Sequence, residues 1–171
     1  FHYLAEIDYR LQGASLVARI SLTHLGESPC LYGAGFHPFF WRDEQTRIRF
    51  LASGVWQEGA DHLPIDWSSR LAPHLDFRQW ARPQGWLNHC YGGWRGQAEL
   101  DHPARQQRLL VSSECAFLML YQPDEGSGFV CLEPQSHAAN AHHLAGHPGL
   151  RLLARGDRMS IGMTLTVASG D

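Results

Sequence analysis

Two segments carry residues suited to moving protons. In "YGAGFHPFFW", residues 32–41, His37 stands between Phe36 and Pro38, with Phe39, Phe40 and Trp41 behind it and two glycines in front. In "CLEPQSH", residues 131–137, Glu133 ends the apolar run "GFVCL" and precedes Pro134. An imidazole changes charge near neutral pH. A carboxylate at the end of a buried strand is unfavourable unless it is paired or catalytic. Together the two could serve as a general acid and a general base. Each also has a plainer reading: His37 as a satisfied core histidine or a metal ligand, Glu133 as a surface carboxylate just past its strand.

Other motifs carry less. "GAGFHP" starts like a dinucleotide fingerprint but has Pro38 where the last glycine belongs, and no helix follows. His142 and His147 have roughly zinc-ligand spacing, yet neither a cysteine nor a carboxylate in a familiar pattern joins them, so a polar histidine-rich loop is the better reading. The chain has no lysine, and all 14 basic side chains are arginine. Schiff-base and P-loop lysine chemistry within this chain is thereby excluded.

The elements that must position these groups have a period of two. "SLVARISLTHL" places Leu16, Ala18, Ile20 and Leu22 on one face, and "MSIGMTLTV" alternates Met159, Ile161, Met163, Leu165 and Val167 with small polar residues. "TRIRFLAS" sets Ile48, Phe50 and Ala52 against Arg47 and Arg49. Shorter strands are expected at 2–10, 96–100, 107–112, 116–121, 128–133 and 150–154, with turns at "LQGAS", "HLGESP", "QPDEGSG" and "ARGD". The pattern predicts an all-β antiparallel sandwich or barrel. Residues 54–95 hold five tryptophans, several prolines and little periodicity, and read as a long irregular insertion.

Composition bounds the partners. Of 171 residues, 44% are hydrophobic and 18% charged, and the net charge is −3. A single globular domain over 1–171 is expected, with neither nucleic acid nor an anionic membrane as partner. No apolar run reaches the roughly 18 residues of a membrane span. Cys30, Cys90, Cys115 and Cys131 are widely spaced and read as reduced, mostly buried thiols, which favours the cytoplasm.

Taken in order, four segments resemble the aldose 1-epimerase (galactose mutarotase) family: "YGAGFHPFF", "LNHCYGGWRGQAEL", "CLEPQSHAANAHH" and "LARGDRMSIGMTL". The tryptophan-rich middle is closest to its less characterised bacterial members. The resemblance runs from about residue 3 to 168 and implies a β-supersandwich with a sugar groove on one sheet face. It implies a mutarotase acting on a hexose, by ring opening and reclosure, without metal or other cofactor. His37 would be the acid at the ring oxygen and Glu133 the base at the anomeric hydroxyl. Asn88 would bind sugar hydroxyls, and Phe39, Tyr91 and Trp94 would pack against the sugar's apolar face.

The chain departs from the family pattern at Asn88, where aspartate is common, and "ECAFLMLYQ" offers apolar residues where a substrate-binding glutamine is expected. Family members are expected to be about twice as long. These residues therefore read as the C-terminal part of a larger domain, its groove completed by a missing N-terminal half or a homodimer partner. Two other roles stay open: a non-catalytic carbohydrate-binding or sensing module, and a hexose-6-phosphate mutarotase. The latter would require Arg42, Arg78, Arg82 and Arg95 to converge on a phosphate.

Overall fold

The computed structural model describes residues 1–169. It is an antiparallel β-sandwich with no α-helix among the described residues. The first sheet contains β1 (Tyr3–Gln12), β2 (Ser15–His24), β14 (Arg158–Ser169), β10 (Gln107–Ser113), β9 (Gln97–His102) and β5 (Arg47–Phe50), in that spatial order. The second contains β4 (Phe39–Trp41), β12 (Phe129–Gln135), β11 (Phe117–Gln122), β8 (Leu87–Gly92), β6 (Gly54–Glu58) and β7 (Pro64–Ser68). A small ribbon pairs β13 (Arg151–Leu153) with β3 (Cys30–Tyr32).

The alternation read from the sequence becomes the core. Ala18, Ile48, Phe50, Leu100, Val111, Ile161 and Met163 point inward from the first sheet. They meet Phe40, Val55, Leu87, Tyr91, Leu118, Leu120, Val130 and Leu132 of the second. The period-two side-chain pattern sends the residues between these to the outer faces. All four cysteines are free, and Cys90, Cys115 and Cys131 are buried.

Residues 54–95 are not the irregular insertion expected from their composition. They supply β6, β7 and β8, three of the six strands of the second sheet. Bulky aromatics and prolines mask the alternation there. Trp56 and Trp67 pack edge to face, 4.5 Å between centroids, across the β6–β7 pair, and Trp80 takes the Arg49 guanidinium at 4.6 Å on its ring.

Among the described residues β1 pairs only with β2, and all ten of its residues are exposed. Tyr3, Leu4, Ile7, Tyr9 and Leu11 thereby form an apolar sheet edge open to solvent.

The loop after β12 is held by Gly149. Its φ of +83° is left-handed, and a β-carbon there would lie 2.4 Å from the Ser136 carbonyl oxygen and 2.6 Å from His137 Cα. Backbone atoms cannot yield as a flexible side chain does. Gly149→Ala is therefore expected to destabilise the fold by roughly 2–4 kcal/mol, measured by denaturant unfolding.

Candidate active site

β12 carries the centre of the site. Phe129, Cys131, Glu133 and Gln135 alternate with the core residues Val130 and Leu132, so they share the outer face. Register extends that face across the sheet. Cys131 pairs with Phe39 on one side and Tyr121 on the other, and Tyr121 pairs with Asn88. One step along, Glu133 pairs with Met119, which pairs with Cys90.

His37 is brought to this face by the segment before β4. Residues 34–36 are zipped to the end of β12: Phe36 N donates to Pro134 O at 3.0 Å, Ser136 N to Ala34 O at 2.9 Å, and Ala34 N to Ser136 Oγ at 3.0 Å. Gly35 bridges Gln135, where a β-carbon would lie 2.9 Å from Gln135 Cγ. Pro38 disfavours helical backbone at His37. The Phe39 ring stacks on the imidazole, 4.8 Å between centroids and 22° from parallel.

His37 Nε2 consequently sits 3.2 Å from Glu133 Oε1. The imidazole is half exposed, while the Glu133 side chain is 6% exposed. Burial pushes the Glu133 carboxyl up to about 7, against the smaller opposing effects of the His37 charge and a hydrogen bond from Gln135. That bond runs from Gln135 Nε2 to Oε2 at 3.4 Å and leaves Oε1 facing the histidine.

The pair opens into a cavity of about 290 Å³ that is also lined by Asn88, Met119, Tyr121, Gln135 and Ala139. Its size suits a single sugar ring better than a drug-sized ligand. Asn88 Nδ2 donates to Glu58 Oε1 at 2.7 Å and to the His62 carbonyl at 3.1 Å. Both amide hydrogens are thus engaged, and Oδ1 remains to accept from a hydroxyl. Glu58 also accepts from Trp86 Nε1 at 2.8 Å and pairs with His62 at 2.9 Å. Burial opposes its ionisation, but the hydrogen bonds from Asn88, Trp86 and His62 outweigh it and hold the carboxyl below its usual range.

Two expected sugar contacts are corrected. Tyr91 is fully buried, and its hydroxyl donates to Leu75 O at 3.0 Å. It lies three residues from Asn88 on one strand, so it faces the opposite side of the sheet. Trp94 is 4% exposed in the same core, its Nε1 donating to Gln97 O at 2.9 Å. Phe39 is exposed and stacks on His37, and it lines a neighbouring cleft with Pro38 and Phe40 rather than the His37–Glu133 cavity. The residues that sequence reasoning missed are Glu58, Tyr121 and Gln135. Gln135 was within reach, because it lies two residues beyond Glu133 on the same strand; Glu58 was hidden in the segment read as irregular.

The arginines do not gather around the pair. Arg42 and Arg82 line one cleft and Arg78 and Arg95 another, and none of them lines the His37–Glu133 cavity. The histidines of the 137–147 loop have local roles. His143 Nδ1 meets Asn140 Oδ1 at 2.7 Å, and burial holds His137 below its usual range. Among the described residues, the ligating atoms that come together are those of His37, Cys131 and Glu133, all within 4.8 Å of one another.

Comparison with known proteins agrees with this fold. A curated relative from Escherichia coli (strain K12), the uncharacterised protein YphB, is 34% identical over 176 residues, covering 98% of this chain and 61% of the relative. A crystal structure of a candidate aldose 1-epimerase from Escherichia coli K12 superposes with a TM-score of 0.93 at 31% identity, over 99% of this chain and 61% of that one. Galactose 1-epimerase from Lactobacillus acidophilus NCFM shares the fold, with a TM-score of 0.77 at 15% identity over 99% of this chain and 63% of that one. The chain thus spans about three-fifths of the length of the proteins it matches. The aldose 1-epimerase family model matches residues 1–166, and the chain belongs to that family.

Proposed function

We propose that this chain carries the acid–base pair of a mutarotase acting on a free hexose. One observation bears most of the weight: a buried carboxylate, raised into the neutral range, faces a histidine at 3.2 Å over a cavity of sugar size. Glu133 takes the proton of the anomeric hydroxyl while His37 delivers one to the ring oxygen. The C1–O5 bond breaks, the open-chain aldehyde turns its other face, and the roles reverse as the ring closes. Protons and electrons balance within the pair, so each cycle restores both groups.

The two groups touch at 3.2 Å. This is compatible with the chemistry, because the anomeric and ring oxygens share one carbon. An acid and a base serving both atoms need only hydrogen-bond reach to neighbouring positions. Sugar entry would replace the His37–Glu133 contact with two contacts to substrate.

Polarimetry, or exchange between anomers followed by NMR, tests the reading against the buffer-catalysed rate. Calorimetric sugar binding with no added rate would reduce the site to a binding module. Glu58 is a positioning residue in this scheme, acting through Asn88. Glu58→Ala is expected to raise KM roughly tenfold, as expected for about one misdirected hydrogen bond, and to leave kcat within a few-fold. A matching fall in kcat with KM unchanged would place Glu58 in the chemical step.

A further inference from the structure

We propose that His37, Cys131 and Glu133 form a binding site for a zinc-type divalent cation, and that the ion competes with sugar for the acid–base pair. Site occupancy rests on geometry alone; the competition rests on the mutarotase reading above. The three donor atoms lie within 4.8 Å of one another, and the imidazole and carboxylate are already 3.2 Å apart. Ligand atoms around tetrahedral zinc sit about 3.3–3.8 Å apart, given bond lengths of about 2.0–2.3 Å. Closing the widest separation then takes about 1–1.5 Å of approach by the sulfur.

β12 supplies two of the ligands from alternate positions on one face, and the third comes from the segment entering β4. Cys131 is fully buried and is the inner ligand; His37 is half exposed and is the outer one. His37 and Glu133 line the cavity, from which a fourth ligand can come. Gln135 holds the second carboxylate oxygen and Phe39 stacks on the imidazole, which are the supporting contacts that orient metal ligands. A thiolate, an imidazole and a carboxylate together select zinc over magnesium or calcium. The thiol proton leaves to solvent when the metal binds. Bound metal occupies the lone pairs that the proton transfers require, so the ion silences the site.

Cobalt(II) is the probe, titrated into the protein and followed by absorption, with zinc displacing it. The expected result is one cobalt ion per chain with a thiolate-to-metal charge-transfer band and tetrahedral visible bands. Cys131→Ser abolishes the charge-transfer band. Cys131→Ser and His37→Ala each weaken zinc by at least about 100-fold. Zinc lowers the mutarotation rate of wild type, and whatever rate Cys131→Ser retains no longer responds to zinc. The exposed His37 position guards against a folding defect at buried Cys131. Absence of cobalt binding overturns the site, as does binding without the charge-transfer band or with unchanged affinity in both variants, which would place the metal on the histidines at 137–147. A charge-transfer band without mutarotation overturns the proposed function and leaves the metal site standing.

Discussion

Glu133→Gln and His37→Ala will each lower the catalysed mutarotation rate by about two to four orders of magnitude, the range that a positioned acid or base contributes. The loss should fall on kcat, because both groups act on protons in flight rather than on hydroxyls that merely bind. In wild type, Glu133 must be ionised to accept the anomeric proton. With burial holding its carboxyl at about 7, the catalysed rate should rise with pH through that value, and the need for a protonated acid at the ring oxygen makes the profile a bell rather than a plateau. The control is Phe39→Ala, which removes the ring stacked on His37 and should weaken binding more than chemistry. Wild-type rates in both catalytic variants would show that the pair is not the machinery.

The same Glu133→Gln substitution should make the folded chain more stable above neutral pH. The folded carboxyl titrates at about 7 against an ordinary 4.5, so the native state binds its proton more tightly than the unfolded state. Wild-type stability is therefore greatest below pH 4.5, as far as this group is concerned. It declines as pH rises from there to about 7, and the full penalty of a buried charge remains above that. By linkage the penalty is roughly 3 kcal/mol, and a neutral amide of the same shape avoids it. Thermal unfolding at pH 8 and at pH 4 reads the difference: a gain of roughly 2–4 °C per kcal/mol at the higher pH, and little at the lower. Equal stabilities at both pH values would mean that the carboxylate is better solvated than its burial implies. A residue that weakens the fold where the active site needs it is the usual mark of function over stability.

Among the outcomes above, the strand pattern was largely legible from the chain. Leu16, Ala18, Ile20 and Leu22 alternate in β2, and Ile48 and Phe50 in β5, because each strand has one face in the core and one outside. Alternation failed at 54–95, where β8 is buried on both faces and β7 is largely exposed, so neither shows a one-sided pattern. That failure hid Glu58, whose carboxylate fixes the orientation of the Asn88 amide.

By itself, the sequence determined an all-β chain rich in alternating strands, with His37 and Glu133 in segments of matching family type. The strand expected at 128–133 stopped short of Gln135, which shares the face of Glu133 because β12 runs on to that residue. Tertiary structure alone decided which face that was. The register between β4, β12, β11 and β8 set Phe39, Cys131, Tyr121 and Asn88 in one row, and the same pleat sent Tyr91 into the core. Contacts between strands distant in the chain have no local pattern to announce them. Burial, which raises Glu133 into the neutral range and brings the Cys131 sulfur near His37, exists only once the strands have paired.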